Sequence, residues 1–440
     1  MGPARAAWEE LADGVVGMLR PGEHCLLGFS GEESDFVRFN HARIRQAGRV
    51  VQGMLTIDLV AGGSHASASC RLGGGLESER AGLAARLGEL RAQLAVAGED
   101  PYLLYSTAAE GSVREDPMAL PDSALALDEL TAHRDLDLVG LWAAGTIQRG
   151  FASSFGQRSW HSVHTFNASW SCHLAGDRSV AGAYAGTAFA VGELAARLQA
   201  SRAELSGLRR PAASVTPGRY RAYLAPSAVK ELLGMLGWGG FSLKAQRAGT
   251  SPLLRLAEGA ARLHPGVVLS EDRGIGLAPR FTDSGFITPE RVPLVSAGAI
   301  DQLLVSPRSA REFGLAPNAE DESPCSLVMA PGELATADAL TRLGRGLWIG
   351  NLWYCNYSDP NACRITGLTR FACWWVEGGE IVAPLPVMRF DDSIYGLLGE
   401  RLLALTRERE QLHSTSTYSE RALESMLLPG LLVEDLALTL

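Results

Sequence analysis

The stretch LAPSAVKELLGMLGWGG, residues 224–240, decides how the second half of this chain is read. It reads as a helix start, about three turns of helix and a glycine stop. Val229, Leu232, Leu233 and Leu236 recur at the spacing that puts apolar residues on one helix face. The stretch offers no histidine, cysteine or aspartate, and its only charged residues are Lys230 and Glu231. Packing explains such a helix. It leaves open whether the helix carries chemistry.

Upstream, residues 218–226 (GRYRAYLAP) read as a strand leading into this helix. Before them come small residues, Pro217 and Gly218, which mark a boundary. We place an N-terminal α+β domain at 1–207, a linker at 208–217 and a β-rich C-terminal domain at 218–440. Downstream, residues 279–306 and 341–390 read as short strands, with EGGE (377–380) as a hairpin turn. Residues 391–410 read as a late amphipathic helix capped by Asp391 or Asp392.

In the first half, residues 1–19 read as an amphipathic helix and 24–72 as an antiparallel meander, with Phe36, Arg38 and Asn40 on one strand face. Leu83, Leu87, Leu90 and Leu94 predict a helix over 76–94. Residues 137–152 (DLVGLWAAGTIQRGFA) predict another helix. Residues 160–190 return to strands around a Gly176-Asp177 turn, and 191–211 to helix. The expected class is α+β, two domains, with helices packed on curved, largely antiparallel sheets and a β-rich C-terminal half.

The chain has 440 residues, 46% apolar and 20% charged, with net charge −9 and a pI near 5.6. That length suits two or three domains. The acidic balance argues against nucleic-acid binding, which needs a basic face. No stretch approaches the roughly 18 apolar residues of a membrane span, and residues 1–19 lack a signal-peptide h-region. A cytoplasmic protein is expected. Seven scattered cysteines without a C-x-x-C pair fit reduced core thiols.

Few motifs invite chemistry. His161 and His164, followed by Cys172 and His173, suggest zinc. On a strand, however, an offset of three puts the two histidines on opposite faces. Cys325 has no sequence-marked base to activate it. Cys355 and Cys363 flank Asp359-Pro360, which fits a turn. The glycine-rich runs lack a P-loop lysine and dinucleotide-fingerprint spacing, and no G-x-S-x-G or H-E-x-x-H occurs. No catalytic constellation emerges from the residues alone.

An ordered set of blocks carries a resemblance. Residues 34–48 (SDFVRFNHARIRQAG), 281–315 (FTDSGFITPERVPLVSAGAIDQLLVSPRSAREFGL), 326–333 (SLVMAPGE) and 352–390 (LWYCNYSDPNACRITGLTRFACWWVEGGEIVAPLPVMRF) together resemble the TldD/PmbA, or modulator-of-gyrase, family. In that family the TldD type is a zinc metallopeptidase. Its metal helix carries H-E-x-x-x-H, and a cysteine near the C-terminus completes the site. At the matching helix this chain has Lys230, Glu231, Leu232, Met235 and Leu236, and no cysteine follows Cys373. A lone Glu231 on a helix surface is ordinarily just solvated.

The resemblance therefore implies the TldE/PmbA type. That is a non-catalytic subunit without catalytic or metal-ligating residues and without a cofactor. Zinc is expected in a TldD-type partner subunit, and the heterodimer forms a chamber for small or unfolded peptides in proteolysis or peptide maturation. Activity is expected only within that complex. Peptides would lie as added strands, with Asn351, Trp353, Tyr354, Asn356 and Arg370 as candidate contacts. Two alternatives stand beside this: a peptidase in its own right using ligands such as His161 and His164, or a homodimeric peptide-binding scaffold.

Overall fold

The computed structural model describes residues 5–74, 76–117, 121–174 and 178–440; the expected Gly176-Asp177 turn lies outside them. The first sheet contains β1 (His24–Asn40), β2 (Arg43–Ala61), β3 (Ser64–Arg71), β4 (Val113–Glu115), β5 (Asp137–Ser153), β6 (Arg158–His173) and β7 (Ser179–Gly186). Its order is β3-β2-β1-β5-β6-β4, with β7 also on β6. The 24–72 meander expected from alternation is present as β1, β2 and β3.

The segment 137–152 is not a helix. It is β5, hydrogen-bonded along its length to β1 and β6. A short apolar run buried on both sides carries no period that separates strand from helix. Its glycines point to strand. At Gly145 a Cβ would meet the Glu33 carbonyl oxygen at 2.1 Å, so only glycine lets β1 come this close.

Helices cover this sheet. In α1 (Arg5–Val16) and α2 (Leu76–Leu94), Trp8, Leu83, Leu87 and Leu90 pack on Leu27, Phe29, Leu55 and Ile57. Each fully buried leucine contributes about 1.5–3 kcal/mol. In α3 (Ser123–Ala132) and α4 (Val191–Gly207), Leu130, Leu194, Leu198 and Leu205 pack on Trp142, Phe166 and Trp170. That cluster also takes in Ala372 and Trp374 from the second half of the chain.

The second sheet contains β8 (Gly218–Leu224), β9 (Leu269–Asp272), β10 (Arg291–Ser296), β11 (Ala299–Ile300), β12 (Ser326–Met329), β13 (Gly346–Ile349), β14 (Leu352–Asp359), β15 (Arg364–Thr369), β16 (Cys373–Glu377), β17 (Glu380–Pro384), β18 (Arg389–Ser393), β19 (Leu402–His413) and β20 (Ser425–Leu438). Its main path is β11-β10-β9-β12-β20-β8-β13-β16-β17. A branch runs β14-β15-β18-β20, and β19 pairs with β20. The EGGE turn closes β16 on β17 with Gly378 and Gly379 both at positive φ, as such a two-residue turn requires.

The fold is α+β, but the expected sheet shape needs correction. Neither sheet is closed or strongly curled. The pairs β4–β6, β8–β13 and β12–β20 are parallel, so both sheets are mixed.

The late helix also needs correction. Only Ile394–Leu397 is helical, and Ser393 caps it by accepting from the Tyr395 N–H. Asp392 is instead drawn into an ion pair with Arg401, at 2.6 and 2.9 Å. Residues 402–413 are recruited as β19 by pairing with β20.

The segment 414–424, between β19 and β20, fastens this sheet to the first. Asn167 Nδ2 donates to the Ser414 carbonyl at 3.1 Å and Gln52 Nε2 to the Ser419 carbonyl at 2.7 Å. The buried Arg421 guanidinium donates to the Thr165 carbonyl at 3.1 Å.

Candidate functional site

The helix that opens the second half is α5 (Pro226–Gly234), extended by a 3-10 turn over Met235–Gly237. Pro226 sits in its first turn, where the missing N–H costs nothing. Ala228, Val229, Leu232 and Leu233 face the core. The other face carries Ser227, Lys230 and Glu231, an i, i+3, i+4 set that shares one side of a helix. These three line a cavity of about 380 Å³ between the two halves of the chain.

Further segments from both halves complete its walls. Arg197, Ser201 and Glu204 come from α4, Trp170 from β6, and Glu410 from β19. Trp348, Asn351 and Phe371 come from β13 and from the segments after β13 and β15. Ser227 Oγ donates to the Gly350 carbonyl at 2.7 Å, fixing the helix against this wall.

The charges are unevenly partnered. Arg197 bonds Glu193 at 2.8 Å and Glu410 at 2.7 Å. Lys230 Nζ donates to the His413 carbonyl at 3.2 Å. Burial lowers the lysine pKa against the opposing charges of Glu231 and Glu410. Glu231 is half-buried, not solvated as expected; burial raises its pKa and Lys230 counters this. Burial alone pushes Glu204 up to about 7.

The candidate peptide contacts fall around the same wall. Asn351 lines the cavity. Arg370 lies over the rings of Trp353 and Phe371, at 5.8 and 5.7 Å, and those rings meet edge to face. Trp353 and Tyr354 are 47% and 80% exposed, so both are available at the surface. Asn356 is exposed too, with its Oδ1 accepting from the Tyr357 N–H at 2.8 Å. Their strand, β14, pairs only with β15 among the described residues, so its other edge is open.

Sequence reasoning missed Arg197, Glu204, Trp170 and Phe371. No local signal separates Glu204 from the other glutamates of α4. Only the docking of α4 against the second sheet buries it.

The histidine pair does not form a site. His161 bonds the Leu277 carbonyl at 2.9 Å, and His164 bonds Thr146 Oγ1 at 2.8 Å. Burial, with the Arg114 charge, pushes His161 down to about 4, so it is neutral. Cys325 is pushed up to about 12 by burial and by Glu271, leaving a thiol rather than a nucleophilic thiolate.

A family model described as the PmbA/TldA metallopeptidase C-terminal domain matches residues 217–440, half of the chain. The chain belongs to that family. A search of curated proteins finds no match. The chain is similar in fold to TldE from Thermococcus kodakarensis, with a TM-score of 0.79, 13% identity, and coverage of 98% of this chain and 100% of that one. It is similar also to two proteins described as DNA gyrase modulators. The Thermotoga maritima one gives a TM-score of 0.77 at 15% identity, covering 98% and 100%. The Bacteroides thetaiotaomicron one gives 0.72 at 15%, covering 99% and 98%.

The family name implies a metal, and the residues of α5 do not fit one. Lys230 presents an ammonium, which donates and cannot ligate while protonated. Leu232, Met235 and Leu236 are buried in the core. Glu231 alone could ligate, and one carboxylate does not make a zinc site. Among the described residues no group of three or more His, Cys, Asp or Glu side chains is placed to hold a metal ion.

Proposed function

We propose that this PmbA/TldA-family chain is the non-catalytic, TldE-like subunit of a heterodimeric TldD-type zinc metallopeptidase. The observation that carries the reading is α5. Its open face presents Lys230 and Glu231 to a cavity, and Met235, which stands where the family motif has its second histidine, is buried in the core. The zinc and its chemistry belong to the partner. This chain supplies chamber wall and peptide docking in proteolysis or peptide maturation.

Docking uses the open edge of β14. A peptide laid there gains main-chain hydrogen bonds whatever its sequence, beside Asn351, Trp353, Tyr354, Asn356 and Arg370. The chain works as two domains, 1–207 and 218–440, joined by 208–217, in the cytoplasm. Among the described residues no helix is long and apolar enough to cross a membrane.

Co-expression with a TldD-type H-E-x-x-x-H subunit tests this. The two chains should co-purify, zinc should follow the partner, and the pair should cleave an unstructured peptide far faster than the partner alone. Equal cleavage by the partner alone would refute the obligate-subunit reading. Stoichiometric zinc on this chain, lost in His161→Ala together with peptidase activity, would establish a peptidase in its own right.

A further inference from the structure

More carboxyl groups than cations line the cavity beside α5. Three carboxylates line it, Glu204, Glu231 and Glu410, against two cations, Arg197 and Lys230. Arg197 is committed to Glu410 and Glu193 through contacts of 2.7 and 2.8 Å. Lys230 spends a hydrogen bond on the His413 carbonyl. Glu204 and Glu231 make no hydrogen bond or contact ion pair among the described residues. A half-buried carboxylate without a partner is costly unless something arrives to pair with it.

The walls and size suit an incoming cation. Trp170, Trp348 and Phe371 supply aromatic surface, which attracts ammonium and guanidinium groups. The volume of about 380 Å³ equals roughly a dozen waters at about 30 Å³ each, room for an aminoalkyl group. Asn351, which lines the cavity, directly precedes β14, and Phe371, which lines it too, meets the Trp353 ring of β14 edge to face. A chain extended along that edge can therefore deliver an end or a side chain into the cavity.

We propose that this cavity receives a cationic group of the docked peptide, its α-ammonium or a lysine side chain, and so makes the subunit prefer basic peptides. The proposal rests on the peptide-docking reading above. Glu204 and Glu231 are the pairing groups, and the aromatic walls exclude water from the pair.

Three labelled octapeptides of one polar sequence test it by fluorescence anisotropy on the purified chain. One is N-acetylated and neutral, one has a free N-terminus, and one is N-acetylated with a single central lysine. A charged peptide should bind about tenfold tighter than the neutral one. The arm that gains shows whether the α-ammonium or the side chain is read. Glu204→Gln and Glu231→Gln should each shrink the gap, and the double variant should abolish it. Neutral-peptide affinity, which reports docking, and the circular-dichroism spectrum, which reports folding, should hold. Equal binding of all three peptides, or a gap that survives the double variant, overturns the cation site and leaves docking standing. No binding by any of the three sinks the docking reading itself.

Discussion

The Tyr357 hydroxyl donates to the Met235 carbonyl at 2.8 Å, joining β14 to the last turn of the α5 segment. The same carbonyl also accepts from the Trp238 N–H at 3.1 Å. Tyr357→Phe therefore removes one of two donors and strands no buried acceptor. It should lower stability by about 1 kcal/mol, read from urea midpoints. A loss several times larger would show that Tyr357 holds the helix against the strand by more than this bond.

Asp392 and Arg401 form a buried bidentate pair, and Asp392 also accepts from the Ala437 N–H at 3.0 Å. Burial raises the Asp392 pKa, but the hydrogen bonds and charge of Arg401 outweigh it and hold the carboxyl below its usual value. A lowered native pKa stabilises above the unfolded value near 3.8 and is lost as pH falls through the native one. Asp392→Ala leaves Arg401 paired with Asp435 at 2.7 Å, so the loss of its charge-assisted hydrogen bonds should cost about 1.5–3 kcal/mol. It should also flatten the acid limb of stability below about pH 4. An unchanged limb in pH-dependent urea unfolding would count against the pair.

Glu204 works in the opposite direction. Burial pushes its carboxyl up to about 7, against 4.5 for the ordinary group. The native state then holds the proton where the unfolded state has lost it, so stability rises as pH falls from about 7 towards 4.5. Glu204→Gln should melt higher than the parent at pH 8 and lose that slope. A variant that melts lower at pH 8, with the slope intact, would show Glu204 to be paired and stabilising.

Helices with local signals were readable in the sequence. The leucine spacing of α2 and the start, apolar face and glycine stop of α5 are written within a few turns of chain. So are hairpins such as EGGE. The errors at β5 and β19 share a cause. Their apolar runs fit either period, and their strand character comes from pairing with segments distant in sequence, β1 for the one and β20 for the other. The site divides the same way. Lys230 and Glu231 were legible because one helix presents both. The burial of Glu231, and the arrival of Glu204 and Arg197 opposite it, depend on how α4 docks across the halves.

The strand β20 is the latest of its sheet in sequence, yet it lies inside that sheet, bonded to β8, β12, β18 and β19. During synthesis β8 emerges some two hundred residues before the neighbour it needs. Until residues 425–438 leave the ribosome, β8 and β12 each keep an unsatisfied edge beside apolar side chains. Such an intermediate is slow to mature and prone to aggregate. The topology therefore holds back assembly of the C-terminal sheet until β20 has been made, and makes loss of β20 a lesion of folding before it is one of function.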